Sequence, residues 1–137
     1  MSIDAAELAE SLRRLATTGQ GQDGIVAALE QVLDACVDLF TVDGAGILVA
    51  DEQDILRYVA ASDGPGRELE RTEAEAGEGP CTSAYVSGHF VTTSDVTSET
   101  ERWPTLARAM ADLPVRAVVG TPVRIGGVPV GTLDVYR

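Results

Sequence analysis

Apolar residues recur along the first forty positions at helical spacing. Leu8, Leu12 and Leu15 stand at i, i+4 and i+7, and Glu7, Glu10, Arg13 and Arg14 fill other faces. Ser2–Thr18 is therefore predicted to be an amphipathic helix, ended by Thr17-Thr18-Gly19-Gln20-Gly21. A second helix follows, with Asp23 placed to cap its first turn and Ile25, Leu29, Val32, Cys36 and Phe40 forming an apolar stripe. The period then shortens. Ala45–Ala50 and Ile55–Ala61 read as strands joined by the polar turn Asp51–Asp54, a hairpin. Ser62-Asp63-Gly64-Pro65-Gly66 breaks the chain. Arg67–Ala76 is rich in glutamate, shows no apolar face, and reads as a poorly packed connection with at most a helical turn.

In the second half, proline and glycine mark the boundaries. Pro80 suits a first helical position and Gly88 the residue just past a helix end. Pro80–Ser87 is thus a short helix with Cys81, Ala84 and Tyr85 on one face. Phe90–Thr93 reads as a short strand. Ser98 and Glu101 stand in capping-box spacing ahead of a helix carrying Leu106, Met110 and Leu113, which Pro114 stops. Val115–Val123 and Val128–Tyr136 are the longest strands and flank the hairpin signal Gly126-Gly127. Strands joined by short turns and mixed with helices imply an α+β fold, a central antiparallel sheet flanked by helices.

Composition narrows the function. The 137 residues suit one domain. Ten basic residues, all arginine, against 22 acidic ones leave a net charge of −12. That balance repels phosphate backbones and anionic lipid, so this segment is expected to bind neither nucleic acid nor membrane. No apolar run has the length of a membrane span and no signal peptide opens the chain, so a cytoplasmic location is expected. Two cysteines, Cys36 and Cys81, are too few for a disulfide scaffold or a cysteine-based zinc site and are expected to be reduced thiols. Asp51, Glu52 and Asp54 lack the spacing and glycine of a calcium loop, and no metal site is predicted. Ser83 has no recognisable histidine partner for hydrolase chemistry.

Three stretches carry a resemblance. They are Gly77-Glu78-Gly79-Pro80-Cys81 with the later Ser94-Asp95-Val96; Arg102-Trp103-Pro104; and Val118–Val123 followed by Gly126-Gly127 and Val130–Tyr136. Together they resemble a GAF domain, a small-molecule sensor module related to PAS. The first two are similar to an actinobacterial subgroup in which the sensor precedes an RNA-binding ANTAR output domain. The resemblance implies an N-terminal helix over 1–20 for dimerisation and signalling, and a sensor domain over 21–137. It implies a pocket beneath Arg67–Thr93, with Cys81, Tyr85, Phe90, Trp103 and Leu106 as candidates. The other reading of these side chains is a closed core, with Trp103-Pro104 fixing the helix start. Cys81, in a first helical turn, is a thiolate candidate for redox sensing or covalent attachment, or a small buried residue.

Cofactors are not implied. His89 sits in a turn, away from the haem-ligand pattern, and Thr82 stands where the bilin pattern has histidine. The cyclic-nucleotide signature needs asparagine and lysine, and the chain has neither. The expected function is a non-catalytic sensory domain that binds a small molecule or registers redox state and relays it to an output domain expected to begin after Arg137, through which RNA would be reached. One alternative is a free-methionine-sulfoxide-reductase-like enzyme using Cys81, although no cysteine follows it. The other is a ligand-free dimerisation module. A homodimer through Leu8, Leu12 and Leu15 is expected, against packing of that helix on its own domain.

Overall fold

The computed structural model describes residues 4–18 and 24–137. Its elements in chain order are α1 (Ala5–Thr18), α2 (Ile25–Phe40), β1 (Gly44–Ala50), β2 (Leu56–Ala61), α3 (Gly64–Ala76), α4 (Pro80–Ser87), β3 (Val91–Thr93), a 3-10 turn (Val96–Ser98), α5 (Pro104–Met110), β4 (Val118–Ile125) and β5 (Val128–Tyr136). The strands form one antiparallel sheet in the order β2-β1-β5-β4-β3, which bears out the α+β expectation. The expected cap at Asp23, the residue Ser2 and the helix end at Gly19–Gly21 lie outside the described residues.

Alternation along the central strands divides the core between two faces. On one face, Ala9 and Leu12 of α1 meet Val49 and Val130, and Leu33 of α2 meets Ala45 and Ala60, with Cys36, Leu133 and Val135 packed alongside. On the other, Leu69, Val96, Trp103, Leu106, Met110, Val118 and Tyr136 form the largest cluster, and Leu48, Ala50, Leu56 and Cys81 a second. The sheet is thus the middle of three layers. The α2 stripe is rotated from its expected position, because Val32 and Phe40 are both 56% exposed. The helix is apolar around most of its circumference, so the pattern allowed two stripes, and Leu29, Leu33, Cys36 and Val37 take the inner one.

Turn chemistry follows the sequence at two hairpins. Asp51 Oδ1 accepts from the N–H groups of Gln53 (2.8 Å) and Ile55 (3.0 Å), and its Oδ2 accepts from Arg57 Nε at 2.9 Å. This carboxylate builds the β1–β2 turn. Burial alone would raise its pKa, but the two N–H groups and the guanidinium prevail and hold it below the ordinary value. Gly126 and Gly127 have φ of 57° and 81°, the left-handed pair that a tight β4–β5 hairpin requires.

Two boundaries differ. Arg67–Ala76 is no loose connection but most of α3, a 13-residue helix. Its N-cap Asp63 accepts from Gly66 N–H at 2.8 Å and from the Tyr136 hydroxyl. The start of α5 is not a capping box on Ser98 and Glu101. Ser98 Oγ instead donates to the Asp95 carbonyl at 2.7 Å, and the helix begins at Pro104 behind buried Trp103. Its first N–H groups are taken by a distant residue: Glu78 Oε1 accepts from Thr105 at 2.6 Å and Leu106 at 2.9 Å. Glu78→Ala is expected to cost about 1 kcal/mol, the usual loss for a helix cap. Equilibrium urea unfolding measures it, and an unchanged midpoint would contradict the assignment.

Candidate functional site

The inner face of α3 carries Gly66, Leu69, Glu70 and Glu73, at i, i+3, i+4 and i+7. The spacing is that of a buried stripe, yet two of its four members are acids. On β5, Leu133 and Val135 turn toward α2, which sends Thr132 and Asp134 to the opposite face, under α3. The first turn of α4 supplies Cys81. Glu70, Glu73, Cys81 and Asp134 meet there with ligand atoms all within 4.8 Å of one another. None of these four, nor Thr132, is more than 1% exposed.

Local structure explains the close approach. A Cβ built on Gly46 would stand 2.5 Å from Glu70 Cγ, and one on Gly79 would overlap the Glu73 carboxylate. Gly79 also holds φ at 133°, where an L side chain is strained. On β4, a Cβ at Gly120 would stand 2.7 Å from the Pro80 carbonyl. Glycines thus clear the space that lets two acids and the end of α4 reach the sheet.

Two hydrogen bonds order the cluster. Cys81 N–H donates to Glu73 Oε1 at 2.9 Å, and Cys81 Sγ donates to Asp134 Oδ2 at 3.2 Å. Both oxygens of Glu70, Glu73 Oε2, Asp134 Oδ1 and Thr132 Oγ1 have no hydrogen-bond partner outside the cluster; within it, protonated Glu70 and Glu73 pair with Asp134, and Thr132 pairs with the Cys81 sulfur. None of the ion pairs among the described residues includes these acids. Burial, reinforced by the neighbouring carboxylates, pushes Glu70 and Glu73 well above the ordinary carboxylate range. Burial also raises Asp134, against the hydrogen bonds it accepts. The Cys81 thiol is driven up by burial first, then by Asp134, Glu73 and Glu70. The helix N-terminus favours a thiolate, but these effects outweigh it, so Cys81 without a cation beside it is a protonated thiol.

The other sequence candidates divide among three places. Trp103 and Leu106 are core, in the cluster with Met110 and Tyr136, and Arg102 stacks 3.9 Å over the Trp103 ring. Tyr85 lies at the surface above Cys81 and donates to Asp54 Oδ1 at 2.9 Å, its own pKa pushed up to about 12 chiefly by burial and then by that bond. Phe90 is 71% exposed, because it falls in the turn after Gly88 and before β3 begins. His89 is exposed as well. Leu12 and Leu15 are buried within the chain, Leu12 against the sheet, and only Leu8 stays at the surface.

A pocket of about 200 Å³ lies beside the cluster, lined by Asp54, Ile55, Leu56, Glu73, Ala74, Gly77, Thr82, Tyr85 and Val86. Its walls are mostly apolar, with Glu73 at the side of the buried acids and the Tyr85–Asp54 bond at the rim. The same rim touches α1, since Arg13 stands 3.9 Å from Asp54 and Thr17 Oγ1 accepts from Glu52 N–H at 3.2 Å. Cys36 packs on the opposite face of the sheet from Cys81. Helices and sheets pack roughly 10 Å apart, and a disulfide needs Cα atoms within about 7 Å, so these thiols cannot pair.

Sequence reasoning found Cys81 but missed Glu70, Glu73, Thr132 and Asp134. Two signals were present: the helical spacing of Gly66, Leu69, Glu70 and Glu73, and an acid at an inward position of the apolar strand Val128–Tyr136.

Comparison with known proteins agrees with this architecture. A family model described as "GAF domain" matches residues 23–137. The chain matches no curated protein sequence. Among solved structures, it is similar to a domain named as part of a two-component sensor histidine kinase of Sinorhizobium meliloti 1021 (TM-score 0.65, 22% identity, 84% of this chain and 74% of that one). It is also similar to the GAF domain region of a protein named as a membrane protein of Geobacter sulfurreducens PCA (TM-score 0.61, 22% identity, 81% and 74%). A third is the type II free methionine-R-sulfoxide reductase of Thermoplasma acidophilum (TM-score 0.58, 20% identity, 97% and 77%). At these identities the likeness is one of fold. No helix among the described residues is long and apolar enough to cross a membrane.

Proposed function

The chain belongs to the GAF domain family, and on that footing we propose that it is a non-catalytic sensory domain whose ligand is a small molecule bound between α3, α4 and the β1–β2 turn. The observation that carries this reading is the largely apolar pocket with Glu73 in its wall and the Tyr85–Asp54 latch at its rim. Small-ligand sites combine apolar walls with a few placed polar groups in this way. A small molecule is favoured over redox state as the signal, because Cys81 is fully buried and a protonated thiol is a poor nucleophile.

The rim supplies a route outward. A ligand that displaces Tyr85 from Asp54 frees the turn that Arg13 and Thr17 hold against α1, and so biases the position of that helix. Relay to an output domain of the ANTAR kind, with RNA regulation as the result and a cytoplasmic setting, belongs to the same proposal and rests on the resemblance of Gly77–Cys81 and Arg102–Pro104. The homodimer is kept, with α2 as its surface. Leu12 and Leu15 are committed to the chain's own core, whereas Val32, Leu39 and Phe40 of α2 are exposed.

One experiment reads both parts. A native mass spectrum of freshly purified protein is expected to show dimer mass and a retained small molecule, the latter weakened in Tyr85→Phe. A bare monomer, with no metabolite raising its melting temperature, would leave neither standing.

The reductase reading has one supporting observation, the fold shared with the Thermoplasma acidophilum enzyme. The two cysteines on opposite faces of the sheet leave Cys81 without a resolving thiol in its own chain.

A further inference from the structure

We propose that Glu70, Glu73, Cys81 and Asp134 form a site for a zinc-class divalent cation. The site stands on side chains beneath the pocket, so it holds whether or not an organic ligand enters above. Three observations converge on it.

The first is the set of buried oxygens. Five side-chain oxygens, from Glu70, Glu73, Thr132 and Asp134, are buried with no hydrogen-bond partner outside the cluster, so only shared protons or a cation can satisfy them. Buried polar atoms in folded proteins are nearly always paired, and no arginine reaches these acids. A cation would satisfy several of them at once. Thr132 adds its hydroxyl, on a fully buried residue beside the Cys81 sulfur, as a further oxygen in the same space.

The second is geometry. Four ligand atoms within 4.8 Å of one another are close enough to share a single ion. The Cys81 Sγ to Asp134 Oδ2 distance of 3.2 Å approaches the S···O edge of about 3.5 Å that ordinary zinc–sulfur and zinc–oxygen lengths produce in a tetrahedron. Glu73 is pre-set for the task. The Cys81 N–H fixes its Oε1 and leaves Oε2 free, the kind of orientation that supporting hydrogen bonds give metal ligands.

The third is donor chemistry and access. A thiolate among carboxylates favours zinc and its neighbours over magnesium or calcium, which prefer oxygen alone. Fully buried Glu73 also stands in the wall of the surface pocket, so only that wall separates the cluster from solvent there.

Cobalt(II) is the probe, because a thiolate ligand gives it a near-ultraviolet charge-transfer band. The full chain is titrated with cobalt(II), then with zinc(II). The expected result is one cobalt per chain, a charge-transfer band that zinc abolishes, and a zinc-dependent rise in melting temperature. Cys36→Ser should keep the band, which leaves Cys81 as its source without disturbing the buried cluster. Cys81→Ser, checked for its fold by circular dichroism, should lose the band and bind zinc at least about tenfold more weakly, the cost that even outer-shell losses impose. A wild-type chain with neither band nor melting shift would overturn the site and leave the acids neutral by shared protons. A band lost in Cys36→Ser, or kept in Cys81→Ser, would overturn the ligand assignment. Metabolite retention in the native spectrum is a separate readout, so failure of one reading does not decide the other.

Discussion

In chelator-containing buffer, the domain is expected to become steadily less stable as pH rises from about 5 to about 8, the range above the ordinary glutamate pKa. Glu70 and Glu73 are held well above their usual range by burial, so the folded chain keeps protons that the unfolded chain gives up. The unfolded state then binds fewer protons, and the slope of unfolding free energy against pH is negative. Its size is about 1.4 kcal/mol per pH unit for each proton so retained. Above about pH 8.5, the unfolded cysteine value, buried Cys81 adds to the loss in the same direction. Below about pH 4 the sign reverses. Asp51, Asp95 and Glu99 are held below their ordinary values: Asp51 against its burial by the Ile55 and Gln53 N–H groups and Arg57, Asp95 by the hydrogen bonds it accepts from Thr97, and Glu99 by those it accepts from Arg102 and Thr93. Their contribution fades as acid protonates them. Stability should therefore peak in mildly acidic solution. Urea midpoints across the pH series check this, and Glu70→Gln should flatten the neutral limb. A profile that rises through pH 7 would show that the acids are ionised in the fold.

Alanine at position 120 is expected to be a severely damaging small change beside the cluster. Its Cβ would stand 2.7 Å from the backbone carbonyl of Pro80 and 3.0 Å from the Cys81 nitrogen. Backbone cannot rotate aside as a flexible side chain can, so α4 must lift from β4. The loss should reach or exceed about 3 kcal/mol, the upper end of ordinary overpacking. The lift also carries Cys81 away from Asp134, so residual folded protein should lose the cobalt charge-transfer band. Urea unfolding and the cobalt titration measure the two effects. A near-native midpoint with an intact band would mean that α4 has slack that its packing does not suggest.

Much of the fold was legible because its punctuation is chemical. Pro80 and Gly88 bound α4 where they were expected to, and Gly126-Gly127 turns the last hairpin. The α5 cap was not legible, since Glu78 lies 27 residues before Thr105 and no local pattern links them. The α3 helix was missed because hydrophobic periodicity counts glutamate as an outward residue. Here Glu70 and Glu73 face inward, against the propensity of charged side chains for water. The same substitution of acid for apolar hid the site. Cys81 could be singled out for its place in a helical turn, but its acidic neighbours come from α3 and β5, and only the folded chain shows that they share a chamber.

The glycines around that chamber have an evolutionary consequence. Gly46 and Gly79 each lie directly against a glutamate side chain, so no side chain can be added at either glycine while its glutamate stays in place. A relative that gains a side chain at the position of Gly46 must shorten or lose the acid at that of Glu70. One that gains a side chain at Gly79 must do the same at Glu73. Acids and glycines should thus be inherited and lost together as linked pairs. Their joint presence in a lineage would mark domains built around a buried acidic centre, and their joint absence would mark domains that fill the same volume with hydrocarbon.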